Sequence, residues 1–145
     1  IGVELGGGYT AVRQHVLSEW QKQWQVSKTG AFLRHIVPTV GGGARPCLQS
    51  RAKDVLITRL RLGRCKLNSG LALIKKVRSD DCNYGCRSPE TVEHFLIHCT
   101  GAGNPIVSKL RQTCLALGIV HDIKTVLTDR RLIDVIVASR LDRDL

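Results

Sequence analysis

The sequence predicts an all-α fold of about five to six helices, interrupted in the middle by a compact turn rich in cysteine and histidine. Three observations carry that reading. Apolar residues recur at three- and four-residue spacing through most of the chain. Ser, Thr, Asn and Asp precede these runs, and Gly or Pro punctuates them. Cys82, Cys86, His94 and Cys99 fall within one stretch of eighteen residues.

In chain order, Gly6-Gly7-Gly8 lacks the Gly-Lys-Ser/Thr ending of a phosphate loop and reads as a flexible lead-in. A helix is expected from about Thr10, its N-cap, to Val26, with Val12, Val16, Leu17, Trp20 and Trp24 at helical spacing. The two tryptophans, four apart on one face, read as core anchors, with base stacking as the alternative. Lys28-Thr29-Gly30 ends this helix. Residues 30–49 contain Pro38, Gly41-Gly42-Gly43 and Pro46 without a sustained period. They read as a loop with one short extended piece at about residues 35–40. Cys47 has no nearby ligand partner and reads as structural or free.

Ser50 is placed to cap a helix that runs to about Gly63. Val55, Leu56, Ile57, Leu60 and Leu62 cover much of its circumference, and its arginines are expected to reach an edge. Asn68 or Ser69 then caps a helix over residues 70–77, with Leu71, Leu73 and Ile74 inward and Lys75-Lys76 at the carboxyl end, where cations suit the helix dipole. Further on, Asn104 caps a helix with Pro105 at its first position, and Gly118 stops it. A short helical turn follows at about residues 122–127. Thr128 caps the last helix, with Leu132, Ile133, Val135, Ile136 and Leu141 apolar. Residues 1–49 are expected to be the first region, a tryptophan-containing helix and a Gly/Pro loop, and residues 50–145 one helical unit.

The middle stretch carries the chemistry. Three residues separate Cys82 from Cys86, seven separate Cys86 from His94, and four separate His94 from Cys99. Three thiolates and an imidazole make a complete tetrahedral set for one structural Zn2+ ion, here a CCHC knuckle. Cys82 and Cys86 sit on a polar turn containing Gly85. Ser88 as N-cap and Pro89 at the first helical position then start a helix that bears His94. His98, next to Cys99, is the competing ligand; His94 is preferred because its gap to Cys99 gives the chain room to turn back. Cys65 is a poor fifth candidate, and Cys114 falls in an apolar helical pattern. Disulfides need an oxidising compartment, and residues 1–20 show no secretory pattern.

Length and charge bound the rest. The chain has 145 residues and a formal net charge of +10. Between Arg51 and Arg78 there are nine basic residues (Arg51, Lys53, Arg59, Arg61, Arg64, Lys66, Lys75, Lys76 and Arg78) and one acid, Asp54, so this stretch carries +8 of the +10. Such a local field favours a polyanionic partner, most simply nucleic acid, over a merely solvated face. No apolar run approaches the roughly 18 residues of a membrane helix. Metal-dependent polymerase or nuclease chemistry needs converging carboxylates. Here Asp80-Asp81 is the only adjacent acidic pair, and a hydrolytic Cys–His pair lacks any supporting motif. The expectation is therefore a non-catalytic chain with no small-molecule substrate. It begins with Ile1 and contains no Met, as a piece of something longer would.

These residues resemble the reverse transcriptase zinc-binding region that follows ribonuclease H in the polyproteins of non-LTR, LINE-type retrotransposons. Trp20-Gln21-Lys22-Gln23-Trp24 with Thr29-Gly30 looks like the tryptophan-rich helix after ribonuclease H. Thr58-Arg59-Leu60-Arg61-Leu62-Gly63 with Leu67-Asn68 resembles the family's Thr-Arg-Leu-Arg-Gly helix. The run from Glu90-Thr91 through His94 to Cys99 is the most specific match. The chain departs where the family usually has His, here Arg64, and Pro, here Thr100. The resemblance implies that Cys82, Cys86, His94 and Cys99 bind the metal and that the region helps hold template RNA or target DNA. It places the chain inside the cell, in cytoplasm and nucleus. The alternative is a protein-interaction module docking on the upstream ribonuclease H or polymerase domain.

Overall fold

The structure, a computed structural model, describes residues 5–41 and 50–139. It is all-α, as expected. Seven α-helices and one π-helical turn lie among the described residues: α1 (Leu5–Val26), α2 (Ala31–Ile36), α3 (Arg51–Leu62), α4 (Asn68–Leu73), the π turn (His94–His98), α5 (Pro105–Leu117), α6 (Ile123–Thr128) and α7 (Arg130–Ala138). No helix among them is long and apolar enough to cross a membrane. The chain divides into two compact units, Ile1–Ala44 and Arg45–Leu145.

In the first unit, α1 begins earlier than its cap signal, so Gly8 is helical and not part of a flexible lead-in. The expected loop contains α2. Gly30 at φ +71° turns the chain, and Arg34 fixes the reversal by donating to Trp24 O, Ser27 O and Thr29 O. Six residues are too few to show a helical period, which is why the sequence pattern missed α2. Trp24 is an anchor: its Nε1 donates to Val37 O, and the Arg34 guanidinium lies 5.5 Å from its ring centroid. Trp20 is not; it is 56 % exposed, alongside exposed Val12 and Val16. Cys47 and Leu141 lie outside the described residues.

The core of the second unit is built from α3, α5, α6, α7 and the π turn. Ile57, Leu60, Leu96, Ile106, Leu110, Val126, Leu127, Leu132 and Ile136 are its deeply buried aliphatic side chains. α5 obeys its sequence signals. Asn104 Oδ1 accepts from Ile106 N, Pro105 is the first helical residue, and Gly118 at φ +64° ends the helix. Asn104 is itself buried and donates from Nδ2 to Phe95 O, tying α5 to the π turn. Asp122 caps α6 by accepting from Thr125 N. Asp129, not Thr128, caps α7, since its carboxylate accepts from Arg131 N.

α3 runs from the Ser50 N-cap position to Gly63 at φ +65°. α4 differs from expectation. It starts earlier, at Asn68, and stops at Leu73, so Lys75 and Lys76 lie beyond its end. Leu73 and Ile74 face solvent instead of the core.

Candidate metal centre

The segment after α4 forms a small hairpin. Cys82 N donates to Ser88 O, Glu90 N donates to Asp80 O, and Asp81 pairs with Pro89 in an antiparallel bridge. Gly85 at φ +80° and Arg87 at φ +52° turn the chain between them. Ser88 and Pro89 therefore belong to this hairpin and do not start a helix. The helical segment instead starts after Thr91, whose Oγ1 accepts from His94 N as an N-cap does. Its second turn is widened, and Cys99 N donates to His94 O at 2.7 Å, closing an i to i+5 ring. That widening brings residues five apart into line, and His94 and Cys99 are five apart.

The result gathers Cys82, Cys86, His94 and Cys99 into one cluster whose ligand atoms all lie within 4.8 Å of one another. Cys82 Sγ lies 3.8 Å and Cys86 Sγ 3.6 Å from Cys99 Sγ. Zn–S bonds of about 2.3 Å at tetrahedral angles put sulfurs about 3.8 Å apart. A disulfide needs about 2.05 Å, and all five described cysteines are free. His94 Nε2 is buried without a hydrogen-bond partner, an arrangement costly for a polar atom unless something else satisfies it. The group can hold a metal ion. His98 is outside it: its ring is exposed, and Nε2 lies 3.7 Å from Glu93 Oε1. Buried Cys65 and Cys114 are not members either.

The thiols are not equivalent. Burial pushes Cys82 up to about 11, with the Tyr84 N–H to its Sγ pulling the other way. Burial also pushes Cys86 upward, but the hydrogen bonds of Thr100 and Cys99 to its sulfur outweigh it and hold this thiol down to about 6. A metal arriving near neutral pH meets a ready thiolate at Cys86 and must displace a proton from Cys82.

Hydrogen bonds of Glu90 and Asn68 hold the hairpin in place. Glu90, only 1 % exposed, accepts from Asn83 N at 3.2 Å, from Asn68 N at 2.9 Å and from Asn83 Nδ2 at 3.4 Å. Asn68 Nδ2 donates to Asp81 O and Asn83 Oδ1. One buried carboxylate thus joins the first residue of α4 to the turn between Cys82 and Cys86. Gly101 and Gly103 close over the other side. A Cβ at Gly101 would sit 2.2 Å from Tyr84 Cβ, and Tyr84 in turn lies against Phe95 with ring centroids 6.3 Å apart. Sequence reasoning missed Glu90, Asn68 and Asn83 as supports. Asn68 was legible only as a candidate helix cap, because the bonds that tie it and Asn83 to Glu90 span 22 and 7 residues.

The basic stretch separates into two kinds of residue. Arg51, Lys53, Arg59, Arg64, Lys66, Lys75, Lys76 and Arg78 are all exposed. Arg61 is 7 % exposed and is not the solvent-facing cation expected. Its Nε and Nη2 donate to Leu127 O, at the carboxyl end of α6, at 2.9 and 2.7 Å. None of the eight exposed cations takes part in an ion pair among the described residues. Comparison with family models, curated proteins and solved structures found no match to this chain.

Proposed function

We propose that this chain is a non-catalytic zinc-binding, nucleic-acid-binding module, the zinc-binding region of a non-LTR retrotransposon reverse transcriptase, and that it helps hold template RNA or target DNA. The convergence of three sulfurs and one imidazole at tetrahedral spacing carries the reading. Soft thiolates in a closed four-ligand set favour zinc, and they leave no open position for a catalytic water. Cys82, Cys86, His94 and Cys99 would hold the ion. The ion would fix the hairpin, and through Glu90 and Asn68 it would fix the start of α4. The eight exposed cations would then contact phosphates, positioning the polymer rather than reading its bases.

Elemental analysis is expected to give one zinc per chain. Binding to nucleic acid is expected to weaken steeply with salt, with a slope of about −0.9 per phosphate contact on duplex DNA. Reversing Arg59, Arg64 and Lys66 is expected to flatten that slope. Salt-independent binding, or none, overturns the nucleic-acid reading. A second reading, docking on another domain of the parent polyprotein, draws support from the exposed apolar face of α1, with Tyr9, Val12, Val16 and Trp20. Loss of association with such a domain on Trp20→Ser, with nucleic-acid binding absent, would favour it.

A further inference from the structure

The turn that ends α4 combines exposed aliphatic side chains with exposed cations. Leu73 is 66 % and Ile74 58 % exposed, although each is a large aliphatic side chain. Lys75, Lys76 and Arg78 follow directly and are also exposed, without an ion pair among the described residues. The turn has defined geometry. Lys75 adopts φ +57°, a left-handed conformation uncommon for lysine, while Lys75 N donates to Ala72 O and Lys76 N to Leu71 O. The other end of α4 is clamped to the metal hairpin through Asn68 N to Glu90 Oε2, Asn68 Nδ2 to Asp81 O, and Ser69 N to Glu90 O. Gly70 allows close packing there, since a Cβ would lie 2.4 Å from Cys65 O. The apolar pair is thus presented at the free end of a short, anchored helix.

We infer that Leu73 and Ile74 form an apolar wedge that inserts at a base step of duplex DNA, with Lys75, Lys76 and Arg78 gripping the flanking phosphates. This deepens the nucleic-acid reading above and rests on it. The cations name a polyanion as the occupant of the tip. Its aliphatic character selects the form of that polyanion. Unpaired strands are bound by stacking bases on aromatic rings, and the tip has none. Leu and Ile are instead the side chains that pry apart stacked base pairs from the minor groove and bend the duplex.

The test uses the full zinc-loaded chain and a DNA duplex of about 20 base pairs carrying 2-aminopurine at a central, easily unstacked TA step. The parent chain is expected to raise 2-aminopurine fluorescence on binding. The double variant Leu73→Ala/Ile74→Ala is expected to lose that rise and on the order of tenfold in affinity, with the salt slope unchanged. Lys75→Ala/Lys76→Ala is expected to lower the slope by roughly 0.9 per lost contact. All these side chains are exposed, so thermal unfolding should match the parent and separate binding from folding. Parent binding without a fluorescence rise, or a Leu73→Ala/Ile74→Ala variant that binds as the parent does, overturns the wedge and leaves the nucleic-acid reading standing. Absence of any nucleic-acid binding overturns both. If the aliphatic variant loses affinity only for vesicles of anionic phospholipid, the tip meets a lipid surface and the wedge is wrong.

Discussion

Replacing Glu90 by alanine tests whether this carboxylate holds the metal hairpin. The carboxylate is 1 % exposed and accepts from the backbone N–H of both Asn68 and Asn83. Alanine strands both donors. A buried donor left unmade costs about 1–3 kcal/mol. Both bonds here are part-buried, so a total of about 2–4 kcal/mol is expected, a sizeable share of the roughly 5–15 kcal/mol that holds a typical domain together. For a unit of about 100 residues each kcal/mol lowers the melting temperature by roughly 4–8 °C. Thermal unfolding of the zinc-loaded chain, followed by circular dichroism and by metal release to a chelating dye, should therefore shift down by roughly 8–32 °C. Metal affinity should fall about 10–100-fold, the usual effect of losing an outer-shell partner. Glu90→Gln keeps one acceptor oxygen and should fall between. A Glu90→Ala chain that melts within about 2 °C of the parent and holds metal as tightly would refute the idea that this carboxylate fixes the hairpin.

Other consequences follow from the same geometry. Metal uptake should strengthen with pH. Cys82, pushed up to about 11, still carries its proton at neutral pH and must release it to the metal, so log K should rise with pH above neutrality. Uptake should fall off more steeply below about pH 6, where Cys86 also takes a proton; chelator competition across that range would show a flat profile if this is wrong. Gly101→Ala places a Cβ 2.2 Å from Tyr84 Cβ and 2.6 Å from Tyr84 O, where neither partner can swing away. It should cost about 1–3 kcal/mol and release zinc at lower denaturant, and wild-type zinc retention would contradict it. Arg61→Met removes both bonds to the buried Leu127 carbonyl. It should destabilise by about 1–3 kcal/mol yet leave the salt slope of nucleic-acid binding unchanged. A flattened slope would return Arg61 to the binding surface. Chelation or Cys82→Ser should raise amide exchange through residues 80–100, and unchanged exchange would argue against a structural metal.

The sequence alone determined what depends on residue type and short spacing. Asn104-Pro105 and Gly118 bounded α5 because capping and left-handed termination are local. The ligand set could be read because soft metal chemistry is written in residue identity. The ordinary length and aliphatic periodicity were enough for the all-α class. The tertiary structure decided what depends on partners far along the chain. His94 was preferred over His98 from its gap to Cys99, and the π turn that aligns the two is how the structure bears that preference out. Arg61 left the basic surface because the end of α6, 66 residues away, offers it a buried carbonyl. Trp24 became an anchor and Trp20 did not, because α2, too short to show a period, returns against only one of them. Leu73 and Ile74 became exposed because Asn68, held by Glu90, fixed where α4 starts. Spacing in sequence is blind to the placement of Arg61, Trp24, Leu73 and Ile74, since the deciding hydrogen bond comes from a residue that no local pattern contains.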